Sequence, residues 1–282
     1  MPGTLYVVAT PIGNLEDVTL RALRVLREVS VIAAEDTRRT ARLLQHYSIS
    51  TRTTSLHEHN ERAKTPSLIA RLVGGESVAL VSDAGTPVVS DPGAHLVAAA
   101  HAAGIRVEPV PGPSATLAVL SASGITGAGF KFVGFPPNRS KARLNWLEQL
   151  SHESNTLIIY EAPHRIRATL EDMLTTFGDR VVALGREVTK VHENLAVRPI
   201  SEHLTALSDE RGEFTLVVEG AAVGSSPSID IPAPEKMAIE FGRMTNSDAV
   251  GRREAIRALA TKYRIPAREV FALLERAKNY PD

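Results

Sequence analysis

The feature that most constrains the fold is a unit that recurs along residues 5–121. Each unit is a short apolar run, then a loop of Gly, Pro and small polar residues, then a helical segment. The clearest run is residues 77–92, SVALVSDAGTPVVSDP. An apolar run without polar alternation is typical of a strand buried on both faces. Strands that alternate with helices at this spacing predict a parallel, doubly wound sheet.

The loops that follow these strands are the first candidates for a binding site, because open α/β sheets bind small molecules at the carboxyl ends of their strands. For residues 77–92 alone, a ligand-binding loop and an ordinary surface turn both remain open. The loop after the first strand lacks a Gly-x-Gly-x-x-Gly run and a P-loop lysine, which disfavours ordinary dinucleotide and NTP binding. Strands are predicted at 5–9, 31–34, 78–81 and 105–110, with a short one before residue 55, and helices at 19–28, 63–73, 93–103 and 116–121.

A Gly-rich break at residues 123–129, SGITGAG, predicts a domain boundary. Beyond it, strands are predicted at 130–134, 156–160, 181–186, near 196 and at 213–219, with helices at 140–150 and 165–177. Charged residues again gather after the strands, and three such clusters at equivalent positions favour a site over simple solvation of the surface. The chain therefore divides into a predicted N-terminal parallel α/β domain, 1–122, and a second α/β domain, 123–222.

Residues 220–234, GAAVGSSPSIDIPAP, have the composition of a linker. After them the pattern is purely helical, with helices predicted at 235–244, 248–263 and 267–278. Residues 235–282 thus form a small helix-turn-helix-like unit, and its recurrent arginines and lysines favour contact with nucleic acid. Solvated helix faces are the alternative explanation of these charges.

Composition excludes several classes of protein and site. Lys plus Arg equals Asp plus Glu at 32 each, so binding to nucleic acid would need a local basic patch. The absence of cysteine excludes disulfides, thiolate zinc sites and cysteine nucleophiles. His57 and His59 have no third ligand nearby in sequence, so we predict no metal site. The N-terminus does not resemble a signal peptide and no stretch is apolar enough to span a membrane, which predicts a cytoplasmic protein.

Several loop motifs together resemble those of the tetrapyrrole-methylase family of S-adenosylmethionine enzymes. More specifically, the chain is similar to the branch of that family that methylates the ribose 2′-hydroxyl of a cytidine in small-subunit ribosomal RNA. The resemblance covers nearly the whole length. The motifs are TPIGNL at 10–15, AEDTR at 34–38, HEHN at 57–60, SDAGTP at 82–87, PGPSA at 111–115, YEAPHR at 160–165, GREVTK at 185–190 and RGEF at 211–214.

The resemblance implies two α/β domains with S-adenosylmethionine held in the cleft between them, a homodimer, and small ribosomal subunit RNA as the partner. Thr86 stands where tetrapyrrole relatives tend to have aspartate, which is a departure from the family pattern. The cofactor-binding residues that the resemblance implies are Pro11, Gly13, Asp83, Gly85, Thr86, Val89, Ser114, Ala115, Glu161, Phe214 and Thr215.

A ribose hydroxyl is a weak acid, so a general base would add roughly 10²–10⁴ in rate. The candidates for this base are Asp36, Glu161, Glu187 and Lys190, of which at most one serves; a structural ion pair is the alternative for each, and Asp36 is also a candidate helix cap. Contacts to RNA phosphates are predicted for Arg38, Arg139, Arg143, Arg165 and Arg186.

Two other functions remain open at this point. One is a methyltransferase for a tetrapyrrole or another small molecule. The basic helical tail disfavours this alternative. The other is a non-catalytic RNA-binding protein of ribosome assembly that keeps only the fold.

Overall fold

The computed structural model describes residues 1–207, 211–222, 232–246, 251–263 and 267–278. The chain forms two compact units, Met1–Gly220 and Ala221–Asp282. Most of the predicted linker, the start of the helix predicted at 248–263 and the residues just before the helix predicted at 267–278 lie outside the described residues.

The first sheet of the larger unit has the strand order β3-β2-β4-β1-β5, and all its strand pairs are parallel, as predicted. Every residue of β2 and β4 is buried, because helices cover both faces of the sheet and two apolar clusters form there. This two-sided burial explains the unbroken apolar runs of the sequence. The elements are β1 Thr4–Val8, α1 Leu20–Glu28, β2 Val31–Ala34, α2 Thr37–His46, β3 Thr53–Ser55, α3 Glu61–Val73, β4 Val78–Val81, α4 Ala94–Ala102, β5 Arg106–Val110 and α5 Ala115–Ser123.

The second sheet is mixed and has the order β6-β7-β10-β8-β9. Strands β6 and β7 are parallel, whereas β10 runs antiparallel between β7 and β8. The carboxyl ends of β6, β7 and β8 therefore meet the amino end of β10 at one edge. The elements are β6 Phe130–Gly134, α6 Ser140–Leu150, β7 Thr156–Glu161, α7 Ile166–Phe177, β8 Val181–Arg186, β9 Asn194–Pro199, α8 Ile200–Ala206 and β10 Phe214–Val218.

Three local features refine the predicted boundaries. Helix α5 begins at Ala115 because the Ser114 hydroxyl accepts a hydrogen bond from the Leu117 N–H, at 3.5 Å, and caps the helix. A 3₁₀ turn at Pro163–Arg165 precedes α7, and the short helix α8 was not predicted. The predicted cap at Asp36 is confirmed, since its carboxylate accepts from the Arg38 N–H at 2.8 Å.

The described residues of the smaller unit form three helices that pack pairwise, α9 Pro234–Asn246, α10 Arg252–Lys262 and α11 Ala267–Lys278. Met237, Leu259, Val270 and Leu274 form its apolar centre. Within the described residues of the whole chain, no helix is both long and apolar enough to cross a bilayer.

Candidate functional site

Three predicted site loops converge at the carboxyl edge of the first sheet, because β4, β1 and β5 are neighbours in it. The Thr10 N–H donates to the Gly85 carbonyl and the Gly85 N–H donates to the Thr10 carbonyl, both at 2.9 Å. The Thr86 hydroxyl donates to the Pro113 carbonyl at 3.3 Å. Hydrogen bonds therefore join the loops after β1, β4 and β5 into one continuous surface.

A cavity of about 400 Å³ lies between this surface and the edge of the second sheet. Pro11 lines a separate cavity of about 340 Å³ beside Leu15 and Arg39. Gly13 packs against the second half of the unit, where a Cβ added to it would stand 2.4 Å from Lys190 Cγ. The larger cavity brings together nine of the eleven predicted cofactor residues: Asp83, Gly85, Thr86, Val89, Ser114, Ala115, Glu161, Phe214 and Thr215.

The loop from β4 to α4 has an unusual backbone. Its φ angle is positive at Gly85 (78°), Val88 (75°), Ser90 (64°) and Gly93 (123°). A β-branched residue such as Val88 rarely adopts this conformation, which costs on the order of 1–3 kcal/mol. Strain of this kind persists only where the surroundings enforce one conformation, so this loop is held in a defined shape.

The carboxylate of Glu61, in the first turn of α3, fixes the far end of this loop. Its Oε1 accepts hydrogen bonds from the N–H groups of Gly93 (3.1 Å), His95 (2.8 Å) and Leu96 (3.2 Å). These donors lie at the start of α4 and have no partner within the helix, and a negative charge there is also favoured by the helix dipole. The conformation of residues 85–93 is thus set from both ends.

Three acids of the first sheet line one side of the cavity, and we call Glu35, Asp83 and Asp91 the acidic wall. The Asp83 N–H donates to Glu35 Oε2 at 3.2 Å, and Asp83 accepts from the Asp36 N–H at 2.9 Å. Arg39 is the nearest cation, with its Nη1 3.5 Å from Asp83 Oδ2 and its side chain 61% exposed. This pairing is long and solvated, so it leaves much of the negative charge uncompensated.

Burial shifts the titration of two members of the acidic wall. It raises the pKa of Glu35, against the hydrogen bond from the Asp83 N–H. It also raises the pKa of Asp91 to about 6, where the nearby charges of Glu35 and Asp83 act in the same direction. An acid with this pKa changes its protonation state close to neutral pH.

On the opposite side, Glu161, Glu187, Lys190 and Glu213 form what we call the paired wall. Lys190 Nζ donates to Glu187 Oε1 at 2.9 Å and to Glu213 Oε2 at 3.0 Å. Burial works against ionisation of both partners, but these hydrogen bonds prevail, so the pKa of Glu187 is lowered and that of Lys190 is raised. Both groups therefore remain charged at neutral pH.

The Glu161 side chain is fully buried and its two oxygens are occupied. Oε1 accepts from the Ala162 N–H at 2.7 Å, and Oε2 accepts from the Thr169 hydroxyl at 2.5 Å. The Arg165 guanidinium contacts both oxygens, at 3.0 and 3.1 Å. This arrangement holds the start of α7 against the end of β7.

All four predicted bases are engaged in ion pairs. Asp36 caps α2 and pairs with Arg38 at 2.8 Å, and its hydrogen bonds with Arg38 hold its pKa far below the ordinary range. Glu161 pairs with Arg165, and Glu187 pairs with Lys190. The ion-pair alternative that the sequence left open is therefore present for each candidate.

The predicted phosphate contacts differ in exposure. Arg143 is 6% exposed at its side chain and its Nε lies 2.7 Å from Asp172 Oδ2, which argues against a contact with RNA. Arg165 is 14% exposed and also donates to Asn138 and to the Pro136 carbonyl. Arg186 is partly buried, whereas Arg139 is exposed and Arg38 is 89% exposed. Arg38 and Arg139 thus remain the most accessible of the five.

Sequence reasoning did not select Glu35, Arg39, Asp91, Phe135 or Tyr160, which also line the cavity. Phe135 directly follows β6 and is 54% exposed. Its ring lies 5.5 Å from that of Tyr160, whose hydroxyl is 2.7 Å from the Thr116 hydroxyl. Glu35 and Phe135 directly follow strands and Asp91 lies in a turn, so position was the available signal for these three. In the described part of the chain, no group of three or more His, Asp or Glu is arranged to hold a metal ion.

The chain matches one family profile and is similar to individual proteins along most of its length. The profile of the family described as Tetrapyrrole (Corrin/Porphyrin) Methylases matches residues 4–203. A protein of Pseudomonas aeruginosa named Ribosomal RNA small subunit methyltransferase I is 52% identical over 223 residues, which are 77% of this chain and 79% of that protein. A protein of the same name from Halalkalibacterium halodurans is 43% identical over 271 residues, 95% of this chain and 93% of that one.

Among solved structures, the fold is similar to that of uroporphyrin-III C-methyl transferase from Thermus thermophilus complexed with S-adenyl homocysteine. The TM-score is 0.57 with 19% identity, over 77% of this chain and 97% of that one. At this identity the likeness concerns the fold alone.

Proposed function

The chain belongs to the tetrapyrrole methylase family and is a methyltransferase, and from this premise we propose that it transfers a methyl group from S-adenosylmethionine to the ribose 2′-hydroxyl of a cytidine in small-subunit ribosomal RNA. The observation that most supports the proposal is the convergence of the three loops and the edge of the second sheet on one cavity. The named relatives support the choice of a ribosomal acceptor.

The cavity residues fit this cofactor. A volume of about 400 Å³ is in the range of sites for ligands of this size, and Gly85 allows the backbone to approach closely. Asp83, Gly85, Thr86, Ser114 and Ala115 would hold the cofactor from the first sheet, and Phe214 and Thr215 from the second. The bound cofactor supplies a methyl group activated by a positively charged sulfur, so the protein's task is to position the acceptor and manage its proton.

The surface charges support an RNA substrate. Arg39 lines the cavity and Arg38 precedes it on the same helix, so both are available to contact phosphates at one side of the site. Arg139 at the start of α6 offers a further contact. A tetrapyrrole acceptor has no phosphate track and would not use these residues. The basic helices of residues 235–282 are proposed to add contacts to the same substrate.

We also propose that the protein acts as a homodimer and in the cytoplasm, where ribosomal subunits are found. Val191, Leu195 and Val197, in or next to the outermost strand of the second sheet, are substantially exposed. Exposed apolar side chains on a sheet edge favour cover by another chain. Light scattering that gives a monomer at micromolar concentration would contradict the dimer. We further propose that the two α/β domains comprise residues 1–122 and 123–222.

The test is transfer of labelled methyl from S-adenosylmethionine to small ribosomal subunits that lack the modification, compared with naked ribosomal RNA and with uroporphyrinogen. We expect label in the subunits, at a cytidine whose 3′ linkage becomes resistant to alkali, since that cleavage needs a free 2′-hydroxyl. Label in the tetrapyrrole alone would favour the small-molecule alternative. Absence of heat on titration of the folded protein with S-adenosylmethionine would favour the non-catalytic alternative.

A further inference from the structure

The proposed reaction needs an acceptor for the proton of the ribose hydroxyl, and the four bases predicted from sequence are poorly suited to accept it. Asp36 and Glu187 have lowered pKa values because hydrogen bonds stabilise their charged forms. Lys190 is held protonated by two carboxylates, and both oxygens of Glu161 are occupied. A base in this cavity must come from another residue.

Asp91 is an acid that lines the cavity and lies outside these pairs. It lines the cavity, and it lies in the strained loop between Ser90, whose φ is 64°, and Gly93, whose φ is 123°. Glu61 holds the N–H of Gly93 at 3.1 Å, two residues beyond Asp91. The loop conformation therefore fixes where this carboxylate stands, as expected of a group that must meet its substrate in one orientation.

Among the described residues, no cation forms an ion pair with the Asp91 carboxylate. The buried Ser82 hydroxyl interacts with it, while Glu35 and Asp83 raise its pKa by repulsion. Arg39, next to the acidic wall, lies against Asp83 rather than Asp91. The remaining charged groups around the cavity and loop are Glu61 of α3 and, from the second sheet, Glu161, Glu187, Lys190 and Glu213, among which Lys190 is bonded to Glu187 and Glu213.

We propose that Asp91 is the general base that takes the proton from the acceptor hydroxyl. The O–H bond of the acceptor breaks, its proton goes to a carboxylate oxygen of Asp91, and the electron pair stays on the acceptor oxygen. That oxygen uses an electron pair to form the new O–CH₃ bond as the S–CH₃ bond of the donor breaks. The electron pair of the broken bond stays on sulfur, which becomes a neutral thioether. The inference rests on the proposed function.

A base must be deprotonated to act, so the rate should rise as the pH rises through the pKa of Asp91, which burial places at about 6. We expect kcat of the intact protein on small ribosomal subunits to decrease as the pH falls below about 6. We call this part of the pH profile the acidic limb. In the Asp91→Asn variant, kcat should fall by roughly 10²–10⁴ and the limb should disappear, since no group then gains or loses a proton in that range. The affinity for S-adenosylmethionine, measured by calorimetry, should change by less than about tenfold.

The matched control is Glu35→Gln, a neighbouring acid on the same wall. Removing its charge relieves repulsion on Asp91, so the limb should persist and move to lower pH. Persistence of the limb at its original position in Asp91→Asn would overturn the proposal. If Asp91→Asn reached the wild-type kcat at saturating S-adenosylmethionine, the proposal would also be overturned, because Asp91 would then be only a contact to the cofactor.

A measurement without substrate follows from the same residue. The pKa of Asp91 is raised above its usual value of 3.8, so its ionisation lowers the stability of the folded state as the pH rises toward 6, and this penalty persists above that pH. Asp91→Asn should therefore raise the melting temperature, and raise it more at pH 8 than at pH 5. A lower melting temperature at pH 8 would contradict the assignment of an unpaired, partly buried carboxylate.

These outcomes separate the inference from the proposed function. A wild-type protein that methylates no small-subunit RNA contradicts the proposed function. A wild-type protein that does so, with an Asp91→Asn variant that keeps both rate and limb, contradicts only the role of Asp91. Asp91→Glu adds a conservative variant, in which a lower kcat with a retained limb is expected.

Discussion

The two sides of the cavity contain similar numbers of acids in opposite electrostatic states. On the paired wall, Glu161 and Glu187 are bonded to cations, and the pKa of Glu187 is lowered. On the acidic wall, Glu35 and Asp91 have raised pKa values because burial outweighs their few favourable contacts. Charge pairing, and not the mere presence of a carboxylate after a strand, therefore separates Glu187, whose pKa is lowered, from Glu35 and Asp91, whose pKa values are raised.

Loss of an acid should change the stability of the fold in opposite directions on the two walls. Removing an acid from the paired wall should destabilise the fold, because its cationic partner is left behind. Removing an acid from the acidic wall should stabilise the fold at neutral pH, because a poorly compensated charge is lost. The following substitutions test this difference and are ordered by decreasing expected change in stability.

Glu161→Ala should have the largest effect. It leaves Arg165, which is largely buried, without its carboxylate, and breaking a buried pair in this way costs about 3–5 kcal/mol. Urea unfolding measures the change in the free energy of unfolding. Glu161→Gln is the matched control, since it keeps an acceptor for Thr169 and should lose less. A change below 1 kcal/mol in Glu161→Ala would remove the distinction between the walls.

Gly93→Ala tests whether the acidic wall depends on its strained loop. A Cβ at this position would stand 2.5 Å from Leu80 Cδ2, and the φ of 123° disfavours any side chain. We expect a loss of roughly 2–4 kcal/mol together with weaker methyl transfer.

The control for this substitution is Gly104→Ala at the other end of α4. Its φ is also positive, at 67°, but an added Cβ has nothing within 4 Å. It should cost only about 1 kcal/mol and leave transfer unchanged. Equal losses of stability and activity in the two variants would show that the clash at Gly93 has no particular role.

Lys190→Met should break the charge pairing of the paired wall while keeping the apolar stem. Leaving Glu187 and Glu213 without their cation should lower the free energy of unfolding by about 1 kcal/mol at neutral pH. The expected change is small because the Lys190 side chain is partly solvated. The pKa of Glu187 is lowered, so its contribution exists above its usual value of 4.5 and is lost as the pH falls through the folded value.

The difference in the free energy of unfolding between Lys190→Met and the wild type should therefore become smaller as the pH falls. Arg24→Met removes an ion pair in which both side chains are more than half exposed, and provides the control with an expected cost below about 0.5 kcal/mol. A cost for Lys190→Met no larger than for Arg24→Met would contradict the pairing.

Glu35→Gln should give the smallest effect, with the opposite sign. The amide keeps an acceptor for the Asp83 N–H but removes the charge that burial disfavours. The pKa of Glu35 is raised above 4.5, so the gain should be present at pH 7 and vanish below pH 4.5. Thermal unfolding at both pH values measures it, and a loss of stability at pH 7 would place Glu35 with the paired acids.

The sequence was sufficient to predict the first sheet, because the two-sided burial of β2 and β4 leaves an unbroken apolar signature. The convergence of its three loops followed from the rule for parallel strands. The mixed character of the second sheet was not predicted, because β10 is apolar whichever way it runs and its direction depends on partners far along the chain.

Site residues were harder to predict for a similar reason. Arg143 looked like a surface arginine, but its partner Asp172 is 29 residues away and lies on another helix. Asp91 was passed over in the very segment that most constrained the fold, since a Ser-Asp-Pro-Gly turn does not reveal the positive φ angles around it. Long-range pairing and local backbone conformation, rather than residue type, decided both cases.

The central place of β10 in the second sheet has a consequence for the order of assembly. Its strand neighbours, β7 and β8, precede it in the chain, so during synthesis they must wait for residues 214–218 before the sheet can close. Phe214 and Thr215 at the start of β10 also line the cavity. A nascent chain that stops short of them would expose two apolar strand edges, a state prone to aggregation, and would lack part of the cavity lining. Completion of the fold and competence for methyl transfer should therefore arrive together, late in translation.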